Sequence, residues 1–188
     1  MNFKVYKPQG YLSQFINNQS TRKNKKLLGE LYAFPEDTMA IGRLDEDSEG
    51  LLLLTRDGKI SEQVRSKTIE KEYYVQVDGN IDPAAIKLIK EGVEIGIHGK
   101  KYTTLPCAAF KLDFPPLLPA GSKRIRDERH GPTSWISITI TEGKFRQVKK
   151  MTAAAGFPTL RLVRVRIGNE RLGNLLPGEV VEVNEFDI

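Results

Sequence analysis

The chain has 188 residues, 39% hydrophobic and 28% charged, with 29 Lys and Arg against 24 Asp and Glu and a net charge of +5. This length supports one substantial core or two small lobes sharing a cleft, and the composition excludes a disordered, collagenous or membrane-embedded chain. No apolar run approaches the ~18 residues that span a bilayer, and MNFKVYKPQG lacks the hydrophobic segment of a secretory signal, so a cytoplasmic protein is expected.

In chain order, FKVYKP reads as a short opening strand and PQG as the turn after it. A basic loop, NNQSTRKNKK, leads into KLLGELYAF, whose apolar spacing predicts a short helix. TMAIG is a second strand, ending at GRLDEDSEGLLLLTRDG, where four acids (Asp45, Glu46, Asp47, Glu49) precede four leucines. Asp47 or Ser48 is expected to cap a single helical turn. LLLLT then forms a buried strand ended by the turn pair Asp57 and Gly58.

ISEQVRS predicts a helix and KEYYVQVDG a strand with Tyr73, Val75 and Val77 on one face and Tyr74 and Gln76 on the other. DPAAIKLIKEGV starts a helix with Asp82 as cap and Pro83 at the first position. KKYTTLPCAAFKL is strand-like, and DFPPLLPAGSKRIRDERHGP, rich in Pro, Gly and charge, is expected to be a mobile loop. TSWISITI buries Ile136, Ile138 and Ile140. KFRQVKKMTAAAG follows as a helix closed by Gly156. In TLRLVRVRI the alternation slips at Leu162 and Val163, so a bulge is expected to put Arg161, Arg164 and Arg166 on one face. GNLLPGEVVEV ends in a last strand. The pattern implies an α+β fold, a mixed and mostly antiparallel sheet with helices packed on it.

Cys107, the single cysteine, excludes disulfides and a CxxC zinc site and is expected to pack in the core. His98 and His130 sit in Gly-flanked loops without metal-ligand spacing and read as surface histidines. A calcium loop fails on DEDSEG, because its twelfth position, which must be Glu, is Arg56. A magnesium site needing only Asp45 and Asp47 plus substrate phosphates stays open, as does a capped, solvated turn. From Glu142 to Arg171 eight bases stand against two acids. This cationic stretch suits a phosphate backbone.

Three segments taken together, GRLDEDSEGLLLLTRDG, KEYYVQV and TEGKFRQVKKMTAAAGFPTLRLVR, with KPQG ahead of them, resemble the pseudouridine synthases that act on ribosomal RNA. The match runs from Lys7 to about Arg166. PTSW and GFPTLRL are similar to the enzymes of the large ribosomal subunit, and no S4 RNA-binding domain is expected ahead of the first strand. The resemblance implies a single catalytic domain over 1–188, with sub-lobes of about 1–66 and 67–188 around an active-site cleft. It implies isomerisation of uridine to pseudouridine in large-subunit (23S) ribosomal RNA by a monomer that needs no cofactor and no metal; neither GxGxxG nor GxxxxGK[ST] occurs.

It also implies roles for residues. Asp45 is the nucleophile, and Lys149 is its ion-pair partner, opposing the desolvation that raises a buried carboxylate's pKa. Tyr73 stacks on the uracil, unless it is simply a core tyrosine; Lys149 has the alternative of a solvated lysine. Arg43 enters the RNA stack and holds the extruded base out. Gly42, Leu44, Lys71, Arg146 and Gln147 complete the substrate-binding set, with Leu44 expected to face the core and Arg146 on the same helix face as Lys149. RNA phosphates are expected on the Lys144 to Arg171 surface and the SKRIRDERH loop. Two rivals remain: a magnesium-dependent phosphodiesterase using Asp45 and Asp47, and a catalytically silent rRNA-binding assembly factor.

Overall fold

A computed structural model describes residues 1–18 and 24–188, with the backbone alone at Glu128. Residues 19–23, in the middle of the predicted basic loop, lie outside the described part. The chain divides into two compact units: Met1–Ile69 with Pro119–Lys123 and Arg164–Ile188, and Glu70–Leu118 with Arg124–Val163.

In the first unit β1 (Asn2–Lys7) lies between β11 (Val180–Val183) and β3 (Glu49–Thr55), antiparallel to both, with Val5 opposite Val180 and Leu52. A two-residue strand, β2 (Met39–Ala40), pairs with the end of β3. All seven residues of β3 are buried. Its leucines cannot alternate between core and water, so the strand is an interior one. Leu52 and Leu54 meet Phe3, Val5 and Leu28, with Phe15, Leu31 and Phe34 packed alongside. The predicted helix at 26–34 is a single 3-10 turn, Leu28–Glu30. A segment this short, with Gly29 inside it and Pro35 after it, gains little from helix formation, and Phe34 instead packs edge-on against Phe3 and Phe15. Asp57 does not end the strand in a turn but caps α1 (Gly58–Val64), accepting from the Lys59 amide at 2.8 Å.

The second unit is built on β4 (Lys71–Asp78), β8 (Thr133–Ile140) and β7 (Ala108–Lys111), in the order β4-β8-β7 and antiparallel throughout. Val75 and Val77 of β4 and Ile136, Ile138 and Ile140 of β8 form the core with Ile81 and Ile89 of the α2 region. Helix α2 (Pro83–Glu91) starts as its sequence predicts, the Asp82 carboxylate accepting from the Ala85 amide at 2.8 Å. The strand-like stretch after it is not continuous. Strands β5 (Glu94–Ile97) and β6 (Lys100–Thr103) form a hairpin, and β7 follows separately. The long Pro/Gly-rich segment contains one 3-10 turn, Glu128–His130.

Helix α3 (Gln147–Ala154) begins later than predicted. Strand β9 (Thr159–Ile167) contributes its first five residues to the second unit and its last four to the first, where β10 (Glu170–Arg171) pairs with its end. Leu162, Val163 and Arg164 are consecutive and all buried. The expectation of RNA phosphates along the Lys144 to Arg171 surface is therefore corrected for Arg164, which is 5% exposed and belongs to the interior.

Candidate active site

The acidic stretch turns at the amino-terminal end of β3. Ile41 and Leu44 are buried, whereas Arg43 between them is exposed. Gly42 takes φ +69, a left-handed conformation that glycine adopts without cost and that lets the chain reverse here. Leu44 is clasped through its backbone: the Ser13 hydroxyl accepts from its amide at 2.9 Å and donates to its carbonyl at 2.8 Å. The Ser48 amide donates to the Asp45 carbonyl at 3.0 Å, which closes a tight turn in place of the expected helical one. KPQG lies against this turn, with the Gly10 amide donating to the Glu46 carbonyl at 2.7 Å and the Gln9 amide group to the Asp47 carbonyl at 3.2 Å.

The four acids have different surroundings. Glu46 pairs with Lys25, Nζ to Oε2 at 2.6 Å. Glu49 is buried and accepts the Tyr6 hydroxyl at 2.7 Å. Asp45 and Asp47 are half-buried. Both, with Glu49, lie in the field of Lys7, a fully buried lysine whose ammonium donates to the carbonyls of Pro8 at 2.9 Å and Tyr11 at 2.7 Å. Burial pulls the Lys7 pKa down to about 7; Glu49, Asp45 and Asp47 hold it up, and the nearby Arg164 guanidinium pushes it further down. Arg164 Nε donates to the Leu51 carbonyl at 2.8 Å, and Nη2 is buried without a hydrogen-bond partner among the described residues.

Sequence reasoning missed Lys7 and Arg164 as members of this site. Lys7 was visible as the first residue of the KPQG motif, at a strand end before a turn, with no role assigned to its side chain. The second of three arginines spaced along a strand gave Arg164 a phosphate-facing look. The signal for Arg164 was its apolar neighbours Val163 and Val165.

In the second unit Tyr73 is half-buried on β4, opposite Ile138, packed against the core that holds Val75 and Val77. Lys71, two residues earlier, donates to the Thr141 carbonyl at 3.1 Å. The segment from Thr141 to Gln147 is tied by side chains. Gln147, 3% exposed, donates to Glu142 Oε2 at 2.7 Å and accepts from the Lys144 amide at 3.1 Å. Glu142 also accepts from the Leu105 amide at 3.0 Å and from the Tyr102 hydroxyl. Gln147 thus shapes the loop from inside with both ends of its amide. Arg146 is corrected from a helical residue to a cap: it has φ +50 and ψ +33, outside α3, so it does not share a helix face with Lys149. A non-glycine residue held in this region costs on the order of 1 kcal/mol, and such strain clusters at working loops. Lys149 lies in the first turn of α3 and is half-buried.

The first unit therefore brings Gly42, Arg43, Leu44 and Asp45 together with Lys7 and Arg164. The second brings Lys71, Arg146, Gln147 and Lys149 to the two ends of one tied loop, with Tyr73 on the strand that carries Lys71. A carboxylate held beside a buried cation can act as a nucleophile, and an exposed guanidinium two residues before it can reach a nucleic acid.

Comparison with known proteins shows the family. The chain is 41% identical over 175 residues to "Ribosomal large subunit pseudouridine synthase E" of Xanthomonas campestris, covering 92% of this chain and 90% of that protein. It is 41% identical to the protein of the same name from Vibrio parahaemolyticus, over 94% of this chain and 71% of that protein. A crystal structure of a pseudouridylate synthase superposes with a TM-score of 0.73 at 27% identity, over 97% of this chain and 70% of the other. The sequence model described as RNA pseudouridylate synthase matches residues 3–154, a span holding both the acidic turn and the tied loop. Motifs, fold and relatives agree, and the chain belongs to the RNA pseudouridylate synthase family.

Proposed function

We propose that the protein isomerises a uridine of large-subunit ribosomal RNA to pseudouridine, with Asp45 as the nucleophile. The observation that carries this reading is the setting of Asp45: a half-buried carboxylate on a turn braced by a fully buried strand, in the field of a buried lysine. A nucleophilic carboxylate has to carry its negative charge, and a basic neighbour is a general means of supporting one. The names of the relatives, large-subunit pseudouridine synthases, supply the RNA class.

In the reaction the bond between uracil N1 and the ribose C1′ breaks, the base turns while held, and C5 bonds to C1′. The C5 hydrogen leaves as a proton and N1 ends protonated, so atoms balance without a co-reactant. Asp45 supplies the anionic oxygen. Tyr73 stacks on the uracil, Lys149 adds positive charge to balance Asp45, and Arg43 fills the space the extruded base leaves. Gly42 and Leu44 fix the backbone on either side of Arg43, while Lys71, Arg146 and Gln147 order the loop that meets the RNA. The protein works as a cytoplasmic monomer without cofactor or metal.

The test is incubation with unmodified large-subunit rRNA and mapping of pseudouridine. The wild type forms it at a defined site, and Asp45→Asn lowers the rate on the order of a thousandfold or more with unchanged melting. A wild type that modifies no uridine overturns the reading. Activity lost to chelation, with Asp47→Asn as damaging as Asp45→Asn, replaces it with the phosphodiesterase.

A further inference from the structure

The β5–β6 hairpin pairs Ile97 with Lys100, which leaves a two-residue loop, His98-Gly99. Both loop residues have positive φ, +49 and +77, as a type I′ turn requires. The usual occupant of the first position is Asn; His is admitted there at some conformational cost. The cost coincides with a contact. The His98 imidazole stacks on the Phe145 ring, centroids 5.7 Å apart and planes 24° from parallel.

Phe145 stands in the loop before α3 and is 55% exposed, and His98 is exposed beside it. One ammonium group lies against this ring pair, and a second lies over the separate ring of Tyr102. Lys150 Nζ lies 5.1 Å from the Phe145 centroid and donates to the Gly96 carbonyl at 2.6 Å. Lys144 Nζ lies 4.8 Å from the ring of Tyr102, whose hydroxyl donates to Glu142. The core of this unit makes no use of the Phe145 ring. An exposed ring pair with an ammonium group fixed against it, and a second lysine one residue before Phe145, is the combination that binds single-stranded nucleic acid without regard to sequence.

We propose that the His98–Phe145 stack is a platform for an unpaired base of the RNA other than the isomerised uridine, with Lys144 and Lys150 meeting its phosphates. This rests on the reading of RNA as substrate, but it does not require Asp45 chemistry. The site gives affinity to a chain whose catalytic residues supply only the contacts at the target base.

The probe is a fluorescein-labelled single-stranded oligouridylate, titrated by anisotropy against the full chain, alongside an abasic version of the same strand. His98→Asn keeps or improves the hairpin while deleting the ring; Phe145→Ala removes the second ring. Each variant is expected to weaken oligouridylate binding roughly 5- to 150-fold, the range for loss of one stacked base, and to leave abasic binding within about twofold of wild type. Oligouridylate affinity of His98→Asn within about twofold of wild type, equal losses on the abasic strand, or no binding by the wild type overturns the platform. A wild type that binds the strand but modifies no rRNA sinks the proposed reaction and leaves the platform standing.

Discussion

The turn at Asp45 and the loop before α3 hold charged side chains by opposite means. The first is braced by grease: seven buried residues follow it, with polar links from Ser13, Gln9, Gly10 and Lys25 onto the turn itself. The second is tied by polar side chains, Glu142 and Gln147, which enforce a left-handed Arg146 at the helix start. Apolar bracing fixes a position through the whole core and fails only when volume is lost. A polar tie fixes one local conformation and fails when a single partner is removed.

The comparison is sharpened first by pH. Lys7 has its pKa lowered from 10.5 to about 7 in the folded protein. A lysine depressed on folding gives up its proton more readily there than in the unfolded chain, so the unfolded state binds more protons between about pH 7 and 10.5. Stability of the native protein is expected to rise across that window and to be flat in this respect below it. At about 1.4 kcal/mol per pKa unit the swing is at most about 5 kcal/mol. Chemical denaturation at several pH values reads the slope, and Lys7→Met should abolish it; an unchanged slope would mean the buried ammonium is not its source.

Leu52→Ala, at a fully buried position in the first unit's core, is expected to cost about 2–5 kcal/mol and to lower activity only through the folded fraction. Equal loss of activity at saturating folded protein would break the idea that the core merely braces the turn. Ser13→Ala leaves the buried Leu44 amide without its hydroxyl partner and is expected to cost about 1–3 kcal/mol, with kcat reduced because the chain between Arg43 and Asp45 loosens. Melting and single-turnover kinetics on the same sample separate the two effects. Smallest is Arg146→Gly: relief of φ +50, about 1 kcal/mol, is set against the loss of the side chain's own contacts, so stability is expected to change by less than about 1 kcal/mol while KM for RNA rises. A variant destabilised by well over 1 kcal/mol would mean that the arginine side chain, more than the tie, holds the loop.

Much of the fold was legible in the residues. Strands β4 and β8 follow their alternation, α2 begins at its Asp-Pro signal, and the four leucines announced an interior strand. Within the site, the chain from Gly42 to Asp45 was readable as a motif. What escaped was set by tertiary packing. Arg164 has the spacing of a surface residue, yet it is buried because its strand is covered on both faces and the Leu51 carbonyl accepts from its Nε. Lys7 gave no sign that its ammonium folds back onto two carbonyls of its own loop. Arg146 followed helical spacing, but the Glu142–Gln147 tie pulls the residue before the helix out of it. The predicted helix at 26–34 lost to an aromatic cluster whose members are distant in sequence.

Cys107 has a practical consequence for experiments on this molecule. Its thiol is partly buried, contacts the Ile89 carbonyl at 3.3 Å, and is pushed up to about 11 by burial with a contribution from Glu142. Since the thiolate is the form that reacts, a maleimide near neutral pH will modify this native sulfur slowly. An engineered surface cysteine, placed for instance at Thr103, would then take a fluorophore selectively, allowing spectroscopic tracking of RNA engagement without first removing the wild-type thiol.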